Sequence, residues 1–145
     1  MPPEVTVHFN VSEPLHYLCR LLRKAAQSRL RTLVCVPPEL LVPLDQALWT
    51  FSAEEFIAHA RWSDPDPLRA HSSMLLADAA VEWPEAEVLV NAHPDLPAGL
   101  TGLRKLIDIV ATDEAARAAG RRRWKAYAEL GWTLRRHDAA TGAAA

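Results

Sequence analysis

The residues of this chain best suited to chemistry lie in Arg117-Ala-Ala-Gly-Arg121-Arg-Arg-Trp124-Lys125-Ala-Tyr127, where five of the 16 Lys and Arg residues surround a tryptophan. Fixed positive charge beside an aromatic ring suits a ligand that is both acidic and apolar. Catalytic motifs are scarcer. No Gly-x-Gly-x-x-Gly follows the first apolar segment, no Gly-x-x-x-x-Gly-Lys-Ser/Thr occurs, and the 5 glycines do not cluster. The chain therefore lacks the backbone cradle of a nucleotide phosphate. A Gly-x-Ser-x-Gly elbow is absent, and the 6 histidines are scattered without ligand spacing. Cys19 and Cys35 have no second pair to complete a zinc site and read as core thiols. Asp64 and Asp66, separated by prolines, suit a turn better than an acid/base pair. The expectation is a non-catalytic protein with no metal and no cofactor; an enzyme would need residues that converge from distant positions.

At roughly 100° per residue, with Arg117 at zero, Trp124 falls near −20°, Arg121 near 40° and Lys125 near 80° on a helical wheel. Those four share one face. Ala115, Ala119, Ala126 and Leu130 gather on the opposite side with Tyr127 on its flank, and form the stripe predicted to meet a sheet. Arg122 and Arg123 diverge to the flanks. Gly120, in mid-helix, costs roughly 1 kcal/mol against alanine and implies a close approach. Two ligands suit such a face: a single-stranded nucleic acid whose base stacks on Trp124, or an acidic peptide with an apolar end.

A chain of 145 residues, half of them hydrophobic, supports one domain with a single sizeable core. The formal charge of −2 confines any contact with an acidic partner to a local patch. The start lacks the basic and apolar regions of a signal peptide, and no apolar run reaches membrane-spanning length, so a cytoplasmic location is expected. Glu4–Val11 alternates as a first strand, and Ser12 and Pro14 open a helix running to about Arg29. Leu33–Val36 is a short buried strand; Pro38 opens a second helix that Pro43 could break or kink. Thr50–Asp78 is a mixed region with a loop at Ser63–Pro67 and a strand at Met74–Ala77. Glu87–Asn91 and Leu106–Val110 are further strands, with a turn of helix expected at Leu100–Arg104. Thr112 caps the last helix and Gly131 ends it. Residues from His137 onward read as a small, polar, disordered tail. Strands alternating with helices indicate an α/β fold with helices flanking a mostly parallel sheet.

Leu44-Asp-Gln-Ala-Leu-Trp49, followed by Ala53-Glu-Glu-Phe-Ile-Ala-His59, resembles the Leu-Asp-x-Ala-Leu-Trp…Phe-x-Pro-His segment of the chi subunit of bacterial DNA polymerase III. Arg121-Arg-Arg-Trp-Lys-Ala-Tyr-Ala-Glu-Leu-Gly-Trp132 is similar to the Arg-x-x-Tyr-Lys-x-Tyr-x-x-x-Gly-Phe ending of that family. The resemblance implies a single three-layer Rossmann-like domain without a nucleotide-binding loop; that chi-like domain is expected to span residues 1–137, with 138–145 left as a disordered tail. It implies a non-catalytic, clamp-loader-associated subunit that binds the acidic C-terminal tail of single-stranded DNA-binding protein, whose last residue is a phenylalanine with a free carboxylate. By position, Arg121 would pair with that carboxylate and Arg117 and Lys125 would attract the acidic residues. Trp124 would wall the apolar pocket, with Val110 and Trp49 contributing. Phe56 matches the surface that meets the psi subunit or another clamp-loader component, although Ala58 stands where the family has proline. Nucleic acid would be contacted only indirectly; direct single-stranded binding through the same helix face is the alternative.

Overall fold

The computed structural model describes residues 2–50, 58–70, 72–96, 100 and 102–142. The elements run β1 (Glu4–Val11), α1 (Pro14–Ser28), β2 (Thr32–Cys35), α2 (Pro38–Thr50), β3 (Ala60–Arg61), α3 (Asp66–Ala70), β4 (Met74–Ala77), β5 (Val88–Asn91), β6 (Lys105–Ala111), α4 (Glu114–Glu129) and β7 (Leu134–Asp138). The seven strands form one sheet in the order β3-β4-β2-β5-β6-β1-β7. Every pairing is parallel. β2, β4 and β5 are buried along their whole length, as strands covered on both faces are; all their residues are apolar except Thr32 and Asn91.

Chain direction decides where the helices lie. From β1 the chain crosses toward β2 and from β6 it crosses the other way to β7, so right-handed crossovers put α1 and α4 on opposite faces. Two cores follow. One gathers Leu18 and Leu22 of α1, Leu44 and Leu48 of α2 and the facing Val34, Leu76 and Val90. The other joins Tyr127 of α4 to Val5, Leu75, Leu89 and Leu106. β1 and β6 are neighbours whose chains leave in opposite directions, which opens a crevice at their carboxyl ends, the usual ligand position in such sheets.

Several local expectations change. Residue 13, not Ser12, is the N-cap of α1, and no side chain caps it; Pro14 occupies the first turn. Asp113 rather than Thr112 caps α4, its carboxylate accepting from Ala116 N at 3.1 Å. Pro43 stays within α2, because the burial of Leu44 and Leu48 outweighs one lost backbone bond. Around the expected loop at Ser63–Pro67 the chain forms β3 and the short α3. Among the described residues of Leu100–Arg104 there is a turn at Gly102 (φ 92°) and no helix. The largest difference is β7, which holds His137 and Asp138 in a strand beside β1. Its sequence, Leu-Arg-Arg-His-Asp, lacks an apolar alternation because it is an edge strand, where charged side chains discourage further pairing. Cys19 and Cys35 are free and buried, and burial pushes the Cys35 thiol up to about 11.

Candidate functional site

The buried side of α4 consists of Ala119, Gly120, Arg123 and Tyr127, turned from the predicted alanine stripe; Ala115 is exposed and Leu130 is 56% exposed. A buried ion pair sets that rotation. Arg123 Nη2 donates to Asp108 Oδ1 at 2.7 Å, Nε donates to Oδ2 at 2.9 Å, and Tyr127 Oη donates to Oδ2 at 2.6 Å. Nη1 adds bonds to the carbonyls of His93 and Pro94 at 3.2 and 3.3 Å. Burial alone would lower the Arg123 guanidinium, but the paired Asp108 outweighs it and holds the group above its ordinary value. Burial raises the Tyr127 phenol, reinforced by the Asp108 charge. Arg123 is thus a core anchor that docks the helix, and not a flank of the basic face.

With α4 fixed this way, Trp124 is half-buried at the border between the core side and the basic side. It borders a cleft of about 430 Å³ between α4 and the ends of β1, β6 and β7. Val7, Phe9 and Val110 supply an apolar floor, and Arg117 and Arg121 stand on the helix wall. Arg136 closes the far side from β7, its guanidinium 4.6 Å from the Phe9 ring centroid. No carboxylate lines the cleft among the described residues. Arg121 Nη2 lies 3.5 Å from Glu114 Oε1 with both side chains largely exposed, a pair too solvated to hold the guanidinium firmly.

Gly120 makes the cleft floor possible. A Cβ at this position would stand 2.9 and 3.0 Å from the two Val110 methyls, so only glycine lets the helix sit this close to β6. Asn10 ties the end of β1 to β7: it adopts φ 59° where the β1–β6 register shifts, and its Nδ2 donates to Asp138 Oδ1 at 3.2 Å.

The structure therefore brings Arg117, Arg121, Trp124 and Val110 together. Lys125 is exposed on α4 and does not line the cleft. Trp49 belongs to α2, in the layer on the other face of the sheet, where it is 49% exposed with its ring 4.3 Å from that of His59. Phe56 lies outside the described residues. Phe9 and Arg136 were not singled out from the sequence. Phe9 was within reach, since alternation along β1 sets it on the face of Val5 and Val7; Arg136 was hidden with the strand that carries it.

Among the described residues no three His, Cys, Asp or Glu side chains are grouped to hold a metal ion, and no helix is long and apolar enough to cross a membrane. Comparison with known proteins supplies the remaining identification. The DNA polymerase III subunit chi of Pseudomonas aeruginosa is 26% identical over 127 residues, covering 87% of each chain. That of Escherichia coli K12 is 23% identical over 124 residues, covering 81% of this chain and 80% of its own. Residues 3–135 match the family described as DNA polymerase III chi subunit, HolC, to which this chain belongs.

Proposed function

We propose that the chain is a non-catalytic accessory subunit of the replicative DNA polymerase III that binds the acidic C-terminal tail of single-stranded DNA-binding protein. It would thereby link that protein, in the cytoplasm, to the clamp-loader end of the replicase. The observation that carries this reading is a cleft with three arginines, an apolar floor and no carboxylate among its described lining residues. A terminal phenylalanine would rest on Val110, Phe9 and Trp124, its free carboxylate would pair with Arg121, and upstream acidic residues would face Arg117 and, farther out, Lys125. Arg136 offers a second cation across the cleft. Trp49, on the other sheet face, and Phe56 fit better as contacts for psi or another clamp-loader component.

The test is titration of the chain with a fluorescent peptide ending in Asp-Ile-Pro-Phe. Charged hydrogen bonds contribute about 1.5–3 kcal/mol each, so Arg121→Ala should weaken binding by about tenfold or more. Added salt should weaken it as well. Unchanged binding by that variant, or equal binding of a peptide lacking its phenylalanine, would remove the proposed site. Oligonucleotide binding that depends on Arg121 would favour direct nucleic-acid recognition through this cleft instead.

A further inference from the structure

β7 lies parallel to β1 with Val7 beside Arg136, His8 beside His137 and Phe9 beside Asp138. Side chains alternate across the sheet, so Val7, Phe9, Arg136 and Asp138 face α4 while His8 and His137 face away. Contacts on both faces hold the strand in this rotation. Behind the sheet the His8 and His137 ring centroids lie 4.8 Å apart. Burial first, and His137 second, push His8 down to about 4, so its ring is neutral at neutral pH. On the α4 side the Asp138 carboxylate accepts from Asn10 Nδ2 at 3.2 Å and from Ala140 N at 2.9 Å.

Asp138 is therefore engaged elsewhere, and among the described residues no ion pair holds Arg136. Its guanidinium has a ring in place of a carboxylate, with Cζ 4.6 Å from the Phe9 centroid. Neither Arg117 nor Arg121 stacks on a ring among the described residues; both stand on the helix wall opposite. A guanidinium is planar and weakly hydrated, and accepts an aromatic ring on either face. Phe9 already shields one face of Arg136 and restrains its side chain, which is otherwise exposed at the cleft. A second ring arriving there has less water to displace and less motion to freeze.

We propose that Arg136 is a specificity-determining residue of this cleft: its guanidinium, backed by Phe9, stacks on the ring of the ligand's last residue and selects an aromatic end over an aliphatic end of equal size. The role rests on acidic-peptide binding in this cleft and goes further, since it says what reads the final side chain. Arg121 on α4 would take the terminal carboxylate while Arg136 on β7 takes the ring, so the two walls recognise two groups of one residue. Val110 favours any apolar end. Trp124, half-buried on α4, is the rival platform for the ring.

The test compares two labelled peptides on the full chain by fluorescence anisotropy, one ending in Asp-Ile-Pro-Phe and one with cyclohexylalanine in place of the phenylalanine. The cyclohexyl side chain matches the ring in size and is at least as apolar, but has no π face. Both peptides carry the same charges, so screening and loss of a cation cancel in the ratio of their affinities. The parent should prefer the phenylalanine peptide by about two- to fivefold, the range of a cation–ring contact near a surface. Arg136→Gln, at an exposed position and so expected to fold, should bring the ratio to about one. Phe9→Leu, which removes the ring behind the guanidinium, should lower it as well. A parent that binds the phenylalanine peptide with no preference, or a preference kept by Arg136→Gln, would overturn the role of Arg136 and leave the peptide site standing. A preference kept by Arg136→Gln and lost on Trp124→Leu would place the ring on Trp124 instead. Failure of both peptides to bind the parent would remove the peptide site itself, and the role of Arg136 with it.

Discussion

Replacing Gly120 by alanine sets two effects of known sign against each other. A mid-helix glycine is disfavoured against alanine by about 1 kcal/mol, so propensity alone predicts stabilisation. The new Cβ would stand 2.9 and 3.0 Å from the Val110 methyls, well inside the 3.5–4.0 Å at which carbon atoms attract. Val110 is β-branched and cannot turn away cheaply, so α4 must retreat from β6 by several tenths of an ångström. Overpacking of this kind costs about 1–3 kcal/mol. The balance is a loss of up to about 2 kcal/mol, which at about 3 °C per kcal/mol lowers Tm by as much as about 6 °C for a chain of this size. Because Val110 and Gly120 also form the cleft floor, peptide affinity should fall in the same variant. Differential scanning calorimetry and peptide titration give both readouts. A Tm raised by the full propensity gain, with undiminished affinity, would refute the claim that close approach is why glycine stands here.

Arg123→Met should destabilise the fold by about 3–5 kcal/mol, since it leaves the Asp108 carboxylate buried without its cation. The double variant Arg123→Met/Asp108→Asn should recover part of that loss in urea denaturation; if it is no more stable than the single variant, the loss came from packing and not from an orphaned charge. His8 gives a pH dependence. Its folded pKa of about 4 lies below the ordinary 6.5, so the unfolded chain binds a proton that the folded chain refuses. Its contribution is intact above about pH 6.5, is lost as pH falls toward 4, and changes no further below that. Allowing for its partial exposure, the effect is on the order of 1 kcal/mol. Stability curves of the parent and of His8→Asn should converge across this window; parallel curves would contradict the assignment.

The sequence pattern reached the elements whose burial is simple. β1 alternates, Leu33–Val36 and β4 are continuously apolar, and α1 carries a clear apolar stripe, so each was legible to within a residue or two. The misread elements answer to long-range partners. α4 looked as if it would bury alanines, yet its orientation is set by Arg123 reaching Asp108, fifteen residues earlier, and nothing in helical periodicity marks one arginine of a run as the buried one. β7 is polar because one side of it is an edge. Missing it concealed Arg136 and the whole far wall of the cleft. The basic helix itself was readable, and its Gly120 signalled the close approach to Val110 that shapes the floor.

The sheet order has a consequence for synthesis. β1 is made first, yet its partners are β6 and β7, with Val5 pairing both Leu106 and Leu134. The opening strand must therefore wait for β6 and β7 to emerge before its ladders can close, a connectivity of high contact order that folds slowly. The cleft beside α4 lies along this closure, since it uses residues of both β1 and β7. A nascent chain whose β7 has not yet emerged from the ribosome cannot display it, so no ligand can be captured there before that strand is made.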